Sequence, residues 1–278
     1  MDTLTRSASL RERAAAWRKA GETVALIPTC GTLHQGHMSL VAEAQERAAR
    51  VIVSVFADPP RAPGHTLEAD RELLDKVGAD VLFVPPVQEI FALGRERAAV
   101  VDIPELANVL EGAARPGYLS ALMTVHAKLL NIVRPDIALF GERDFQQLVM
   151  VRRLVDDLFL SAEVVGCPTL RDSDGVAFAT VNRSLSPEER SRAQSLSAAL
   201  ETLAKQIEAG GRDYEALQRQ GAELLNSAGL TTEYFQVRTA SDLGPIRPGT
   251  RDLVLLAAAR LGDKRLNDSR RIRLIDRH

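Results

Sequence analysis

Short apolar runs alternate with longer amphipathic stretches through the first two thirds of the chain. Leu10, Ala14 and Trp17 recur at helical spacing between about Leu4 and Ala20, and Gly21 supplies a stop. Thr23–Pro28 is then almost wholly apolar, as expected of a strand buried on both faces of a parallel sheet. After a glycine-containing turn, Leu40, Val41, Ala44 and Ala48 predict a helix over Met38–Ala49. The alternation continues with strands over Val51–Phe56, Val81–Val84, Ile137–Phe140 and Glu163–Cys167. Helices fall between them over Leu67–Val77, Leu119–Val133 and Phe145–Phe159. Strands alternating with helices imply βαβ units, hence an α/β fold with a doubly wound parallel sheet and right-handed crossovers.

Beyond about Arg183 the rhythm changes. Ser186 followed by Pro187, Glu188 and Glu189 reads as a helix entry, with an N-cap, a proline at the first helical position and acidic side chains in the first turn. Helices are expected over Pro187–Ala209 and Asp213–Ala228, and strands over Tyr234–Val237 and Leu253–Ala258. The expected division is a larger, doubly wound unit over 1–182 and a smaller C-terminal α+β unit over 183–278. No internal repeat is visible.

Charge narrows the function classes. With 35 Lys and Arg against 37 Asp and Glu, the net charge of −2 argues against a nucleic-acid partner held by bulk electrostatics. The densest basic run, Arg265 to Arg273, is interrupted by Asn267, Asp268 and Ser269 and reads as a solvated final segment. Cys30 and Cys167 supply no disulfide framework, the N-terminus lacks an apolar signal core, and no run has membrane-spanning length. The expectation is a soluble cytoplasmic protein without a membrane partner.

The chemistry concentrates in Pro28-Thr29-Cys30-Gly31-Thr32-Leu33-His34-Gln35-Gly36-His37. It lies between the end of a buried strand and the next helix, where doubly wound sheets place their ligands. Gly31 and Gly36 would let backbone approach a ligand, and a helix start offers unpaired N–H groups to an anion. His34 and His37 would donate to phosphate oxygens and stabilise charge on departing pyrophosphate. A lone His-x-x-His is a weak signal; its place after a buried strand and between glycines makes it specific. No Cys, Asp or Glu cluster nearby completes a metal site.

This segment resembles the His-x-Gly-His signature of the nucleotidylyltransferase superfamily, within the longer block of the pantothenate synthetase family. Three further blocks resemble the same family in the same order. They are Leu110-Glu111-Gly112-Ala113-Ala114-Arg115-Pro116-Gly117, then Arg134-Pro135-Asp136 through Phe140-Gly141-Glu142-Arg143-Asp144-Phe145-Gln146-Gln147-Leu148, and Ala257 through Asp268. The resemblance implies an AMP-forming ligase that uses ATP with Mg2+, forms an acyl-adenylate from a small carboxylic acid, and passes the acyl group to a small amine. It implies catalytic roles for His34, His37 and Arg143. Nucleotide contacts would come from Thr29, Gly31, His34, His37, Gly141 and Asp144. Acid-binding positions would be Cys30, Asp58, Arg61, Tyr118 and Gln147, with Gln147 on hydroxyl groups of the acid. It also implies a homodimer.

The departures from the family lie at these same positions. Cys30 stands for a methionine, Asp58 for an asparagine, Arg61 for the glutamine on the acid, Tyr118 for a histidine and Arg143 for a lysine. Ala179-Thr180-Val181-Asn182 replaces a Ser-Ser-Arg-Asn loop. Loss of a cation or donor aimed at a transferring phosphate costs about 3 kcal/mol, roughly 10² in rate, unless Arg61, Arg143 or Arg183 compensates. The leading expectation is therefore a ligase with an altered acid or amine. Its alternatives are the ordinary family reaction, a ligase-inactive nucleotide- or partner-binding protein, and a nucleotidylyltransferase with a phosphate acceptor. Lys128 would reach the site or a solvated helix face. His65 and His126 read as surface or core histidines without visible partners, and Cys30 as a pocket liner rather than a nucleophile.

Overall fold

The computed structural model describes residues 1–56 and 66–274. Six strands form one parallel sheet: β1 (Asp2–Leu4), β2 (Val24–Thr29), β3 (Arg50–Val55), β4 (Val81–Phe83), β5 (Ile137–Gly141) and β6 (Glu163–Cys167). Their spatial order is β1-β4-β3-β2-β5-β6, with every neighbouring pair parallel. Ala25, Leu26 and Ile27 of β2 and Val51, Ile52 and Val53 of β3 are buried, because each strand has packing on both faces. The order reverses at β2, which pairs with β3 on one side and β5 on the other. Loops leaving the carboxyl ends of β2 and β5 must part there, and a crevice opens between them.

Helices α1 (Ser7–Lys19), α2 (Gln35–Arg47) and α3 (Leu67–Val77) fall close to their expected positions. Short turns α4 (Val87–Ile90), α5 (Pro104–Ala107) and α6 (Glu111–Ala114) precede α7 (Tyr118–Val133) and α8 (Phe145–Asp157). Thr66 caps α3, its side chain accepting from the Ala69 N–H, and Gly78 ends that helix at φ 77°. Strand β1 carries no apolar run. It is held as an edge by its parallel register with β4, Asp2 opposite Val81.

The C-terminal unit has helices α9 (Pro187–Glu208) and α10 (Tyr214–Ser227). They pack on an antiparallel sheet of β7 (Thr231–Thr239), β8 (Asp252–Leu261) and β9 (Lys264–Arg273). The expected helix entry forms a capping box: Ser186 N–H donates to Glu189 Oε2 at 2.8 Å, and Glu189 N–H donates to Ser186 Oγ at 3.1 Å. Strand β8 is apolar at successive positions for a clear reason. Leu253, Leu255 and Ala257 join the core under α9 and α10, whereas Val254 and Leu256 face the core of the larger unit.

Strand β9 corrects the solvated-segment expectation for Arg265–Arg273. Leu266, Asp268, Ser269 and Ile272 are buried there. The buried positions include polar residues because they bond across to the larger unit, which removes the hydrophobic alternation that would have revealed a strand. Asp268 receives both guanidinium arms of Arg171, at 2.6 and 3.1 Å. Ser269 Oγ donates to the Glu142 carbonyl at 2.5 Å. Arg265 ties the Glu111 and Glu233 carboxylates together, each at 2.7 Å. Among the described residues no helix is long and apolar enough to cross a membrane.

Candidate active site

The loop leaving β2 is built to hold an unusual path. Thr29 Oγ1 donates to the Ser54 carbonyl at 2.8 Å and accepts from the Gly31 N–H at 3.3 Å. Gly31 has φ 82° and Thr32 φ 57°, two successive left-handed residues. Such a conformation at threonine costs of order 1 kcal/mol or more and needs external support. Asp70, fully buried on α3, supplies it by accepting from the N–H groups of Thr32 at 3.1 Å and Leu33 at 2.6 Å. Sequence reading missed Asp70, since nothing in the spacing links it to a loop 37 residues earlier.

Helix α2 begins at Gln35 rather than at Met38, so His34 is its N-cap and His37 lies in its first turn. The His34 N–H donates to His37 Nδ1 at 3.3 Å, and the ring centroids are 4.1 Å apart. Burial, followed by Arg143 and Arg183, lowers His34 to about 4. Burial, then His34 and the same two arginines, lowers His37 well below the ordinary histidine range. Both imidazoles are thus neutral at physiological pH. Because His37 Nδ1 accepts, its proton sits on Nε2, ready to donate to an anion. Gly36 packs closely against the His34 ring: a Cβ there would stand 3.0 Å from it, and the ring would have to shift.

The opposite wall comes from the end of β5. At Gly141 an added Cβ would meet nothing within 4 Å, so the strand end faces open space. Arg143 donates to the Phe178 carbonyl at 3.2 Å and to Asp144 Oδ2 at 3.0 Å. The other oxygen of Asp144 accepts from Asn267 Nδ2 of β9 at 2.7 Å. Arg183 approaches from the end of the Ala179–Asn182 segment and donates to the Leu33 carbonyl at 2.7 Å. In that segment Val181 packs against the C-terminal unit's core, while Thr180 keeps a hydroxyl-bearing side chain on the cavity wall.

Farther along the cleft, Gln147 on α8 meets His126 on α7, their Nε2 atoms 3.0 Å apart. His126 therefore has a partner the sequence did not reveal, and it too is lowered to about 4 by burial. Tyr118 opens α7 with the Arg115 guanidinium 3.4 Å from its ring centroid. Cys30 has surface open to the cleft, yet protein surrounds most of it. Burial, then Asp144, raises its thiol, so it remains protonated and suits a wall rather than a nucleophile. Lys128 does neither of the things expected of it: its Nζ donates to the Ile90 carbonyl at 2.8 Å and sits 4.1 Å from the Phe91 ring centroid.

One cavity of about 910 Å³ joins these groups, with Tyr234, Leu256 and Asn267 of the C-terminal sheet closing one side. Thr29, Cys30, Gly31, His34, His37, Tyr118, Gly141, Arg143, Asp144 and Gln147 all line it. Asp58, Arg61 and His65 lie outside the described residues. Among the described residues no cluster of three or more His, Cys, Asp or Glu side chains is placed to hold a metal ion. Neutral histidines beside two guanidiniums form an anion-receiving end, and the Gln147–His126 pair forms a polar end without formal charge. The arrangement fits a nucleoside triphosphate and a small acid held in sequence along one cleft.

Comparison with known proteins gives the family. The family described as pantoate-beta-alanine ligase matches residues 2–278. The pantothenate synthetase of Thioalkalivibrio sulfidiphilus is 43% identical over 277 residues, covering 97% of each chain. That of Nitrosococcus oceani is 41% identical over 285 residues, covering 99% of each. The pantothenate synthetase structure from Thermus thermophilus aligns with a TM-score of 0.87 and 37% identity, covering 97% of this chain and 98% of that one. A Francisella tularensis pantoate-beta-alanine ligase complexed with beta-gamma ATP and beta-alanine aligns with a TM-score of 0.79 and 27% identity, covering 97% of each chain. The chain belongs to the pantoate–β-alanine ligase family and is an ATP-dependent ligase of the pantothenate synthetase type.

Proposed function

We propose that the chain joins pantoate to β-alanine through a pantoyl adenylate. The observation that carries this reading is the single cavity uniting His34, His37 and Arg143 at one end with Gln147 at the other. A pantoate carboxylate oxygen attacks the α-phosphorus of ATP, the bond to the bridging oxygen breaks, and pyrophosphate leaves. His37 Nε2–H, His34 and Arg143 donate to oxygens that gain charge as it departs. Because both rings are neutral, they act as hydrogen-bond donors and need lose no proton. The β-alanine amine then attacks the acyl carbon, AMP carries off the carboxylate oxygen, and an amide forms. Enclosure between the two sheets keeps water from the adenylate.

Mg2+ would enter with the triphosphate. Among the described residues none forms a protein cage for it, and the Asp144 carboxylate is already engaged by Arg143 and Asn267. No step above is routed through the ion. The relatives' shared name favours pantoate over the altered acid that the substitutions had suggested. Under this reading residues 1–182 carry the nucleotide and 183–278 close the cleft, in a cytoplasmic homodimer. ATP–pyrophosphate exchange with pantoate and a panel of other small acids tests the proposal. Exchange confined to pantoate supports it; exchange with another acid and none with pantoate refutes it.

A further inference from the structure

The polar end of the cavity contains a donor–acceptor arrangement that the adenylation step leaves unused. Gln147 Nε2 stands 3.0 Å from His126 Nε2. An amide nitrogen has hydrogens to give and no lone pair to offer, so Gln147 donates and the ring nitrogen accepts. His126 is 4% exposed, and its ring is neutral at physiological pH. A neutral imidazole carries one proton, which must then sit on Nδ1, an atom that is buried and has no hydrogen-bond partner. The edge of Phe140, with ring centroids 5.3 Å apart and planes at 85°, fixes the ring from the side.

This geometry has a consequence for the amide. A planar carboxamide that gives its nitrogen to the ring turns its carbonyl oxygen away from it. Among the described residues the amide's hydrogen bonding is confined to His126, and Gln147 lines the cavity. Its carbonyl oxygen therefore remains to accept a hydrogen bond from the acid. Were the amide turned over, its NH2 group would face the acid and reward an acceptor instead.

We propose that His126 is a positioning residue that sets specificity: it holds the Gln147 carbonyl toward the acid, so the site selects hydroxy acids over the corresponding oxo acids. A hydroxyl donates to that carbonyl, whereas a keto oxygen at the same place meets another acceptor and repels it. The inference rests on the proposed function in taking the acid to be pantoate.

The test compares ATP–pyrophosphate exchange with pantoate and with its 2-oxo analogue in the full-length protein. The wild type should favour pantoate by roughly tenfold or more, as expected for one oriented hydrogen bond against a repelled acceptor. His126→Phe keeps the ring volume but frees the amide to turn. The preference should fall to about threefold or less, through KM for the acid, with KM for ATP unchanged. His126→Gln, which retains an acceptor, should recover most of the preference. A ratio unchanged in His126→Phe, or a parallel rise in both KM values, overturns the proposal.

Nitrogen NMR of the ring at neutral pH provides a readout independent of substrate. A proton on His126 Nδ1 supports the arrangement, and a proton on Nε2 overturns it. If neither acid supports exchange in the wild type, the proposed function fails, while the tautomer still decides the orientation of the amide.

Discussion

The two ends of the cavity are assembled in different ways. The proposed phosphate end is local: the turn after β2 and the start of α2 bring His34 and His37, and the neighbouring end of β5 brings Arg143. The proposed acid end is distributed over Cys30 after β2, Tyr118 and His126 on α7, and Gln147 on α8. The histidine end presents guanidiniums and neutral imidazoles, the Gln147 end uncharged hydrogen-bonding groups and walls. Under the proposed function, the first end would supply rate and the second would supply selection. Changes at the first should lower kcat for every acid, and changes at the second should redistribute activity among acids.

Removing His37 should have the largest effect. His37→Ala loses an Nε2–H donor to the leaving pyrophosphate, and exchange should slow by about 10²–10³ with every acid that reacts. Rapid-quench measurement of adenylate formation gives the rate. A loss confined to one acid would erase the distinction between the two ends. Asp70→Ala is expected next. It leaves the Thr32 and Leu33 N–H groups without their buried acceptor, so urea unfolding should show a loss of about 1–3 kcal/mol, with KM for ATP raised.

How much of this was legible in the sequence follows the same division. Buried parallel strands announce themselves as apolar runs, and β2, β3 and β6 fell within a residue or so of expectation. The His34–His37 loop was readable because its chemistry lies in consecutive residues after such a strand. Asp70, Asn267 and His126 were not, because each meets the site through tertiary contact with no periodic spacing to betray it. His126 in particular looked partnerless until α7 and α8 brought Gln147 to it. The polar interior of β9 broke the alternation that identifies strands, so a segment bridging both units read as solvated.

Asn267→Ala sharpens the comparison from the third direction, the C-terminal sheet. Loss of its 2.7 Å bond to Asp144 loosens the nucleotide wall without removing a donor to phosphate. KM for ATP should rise by several-fold, consistent with about 0.5–1.5 kcal/mol for one hydrogen bond, with little change in acid preference. Steady-state kinetics with each substrate varied in turn separates the two effects.

A separate effect, on stability rather than on turnover, concerns pH. His34, His37 and His126 all have folded pKa values depressed below the ordinary 6.5, by burial first of all. Below pH 6.5 the unfolded chain takes up protons that the fold refuses, so stability should fall as pH drops from about 6.5 toward 4. Each group contributes a slope of at most about 1.4 kcal/mol per pH unit in that window. His126→Phe should flatten the slope, read from urea midpoints at successive pH values.

The most direct measurement follows heavy oxygen placed in the pantoate carboxylate through one turnover with ATP and β-alanine. Attack on the α-phosphorus requires the label to appear in AMP, and to appear there as acyl-adenylate before the amine is added. Label in AMP at one equivalent per turnover is the expected result. Label absent from AMP, or adenylate that forms only once β-alanine is present, would contradict a cavity that activates the acid at its histidine end before the amine arrives.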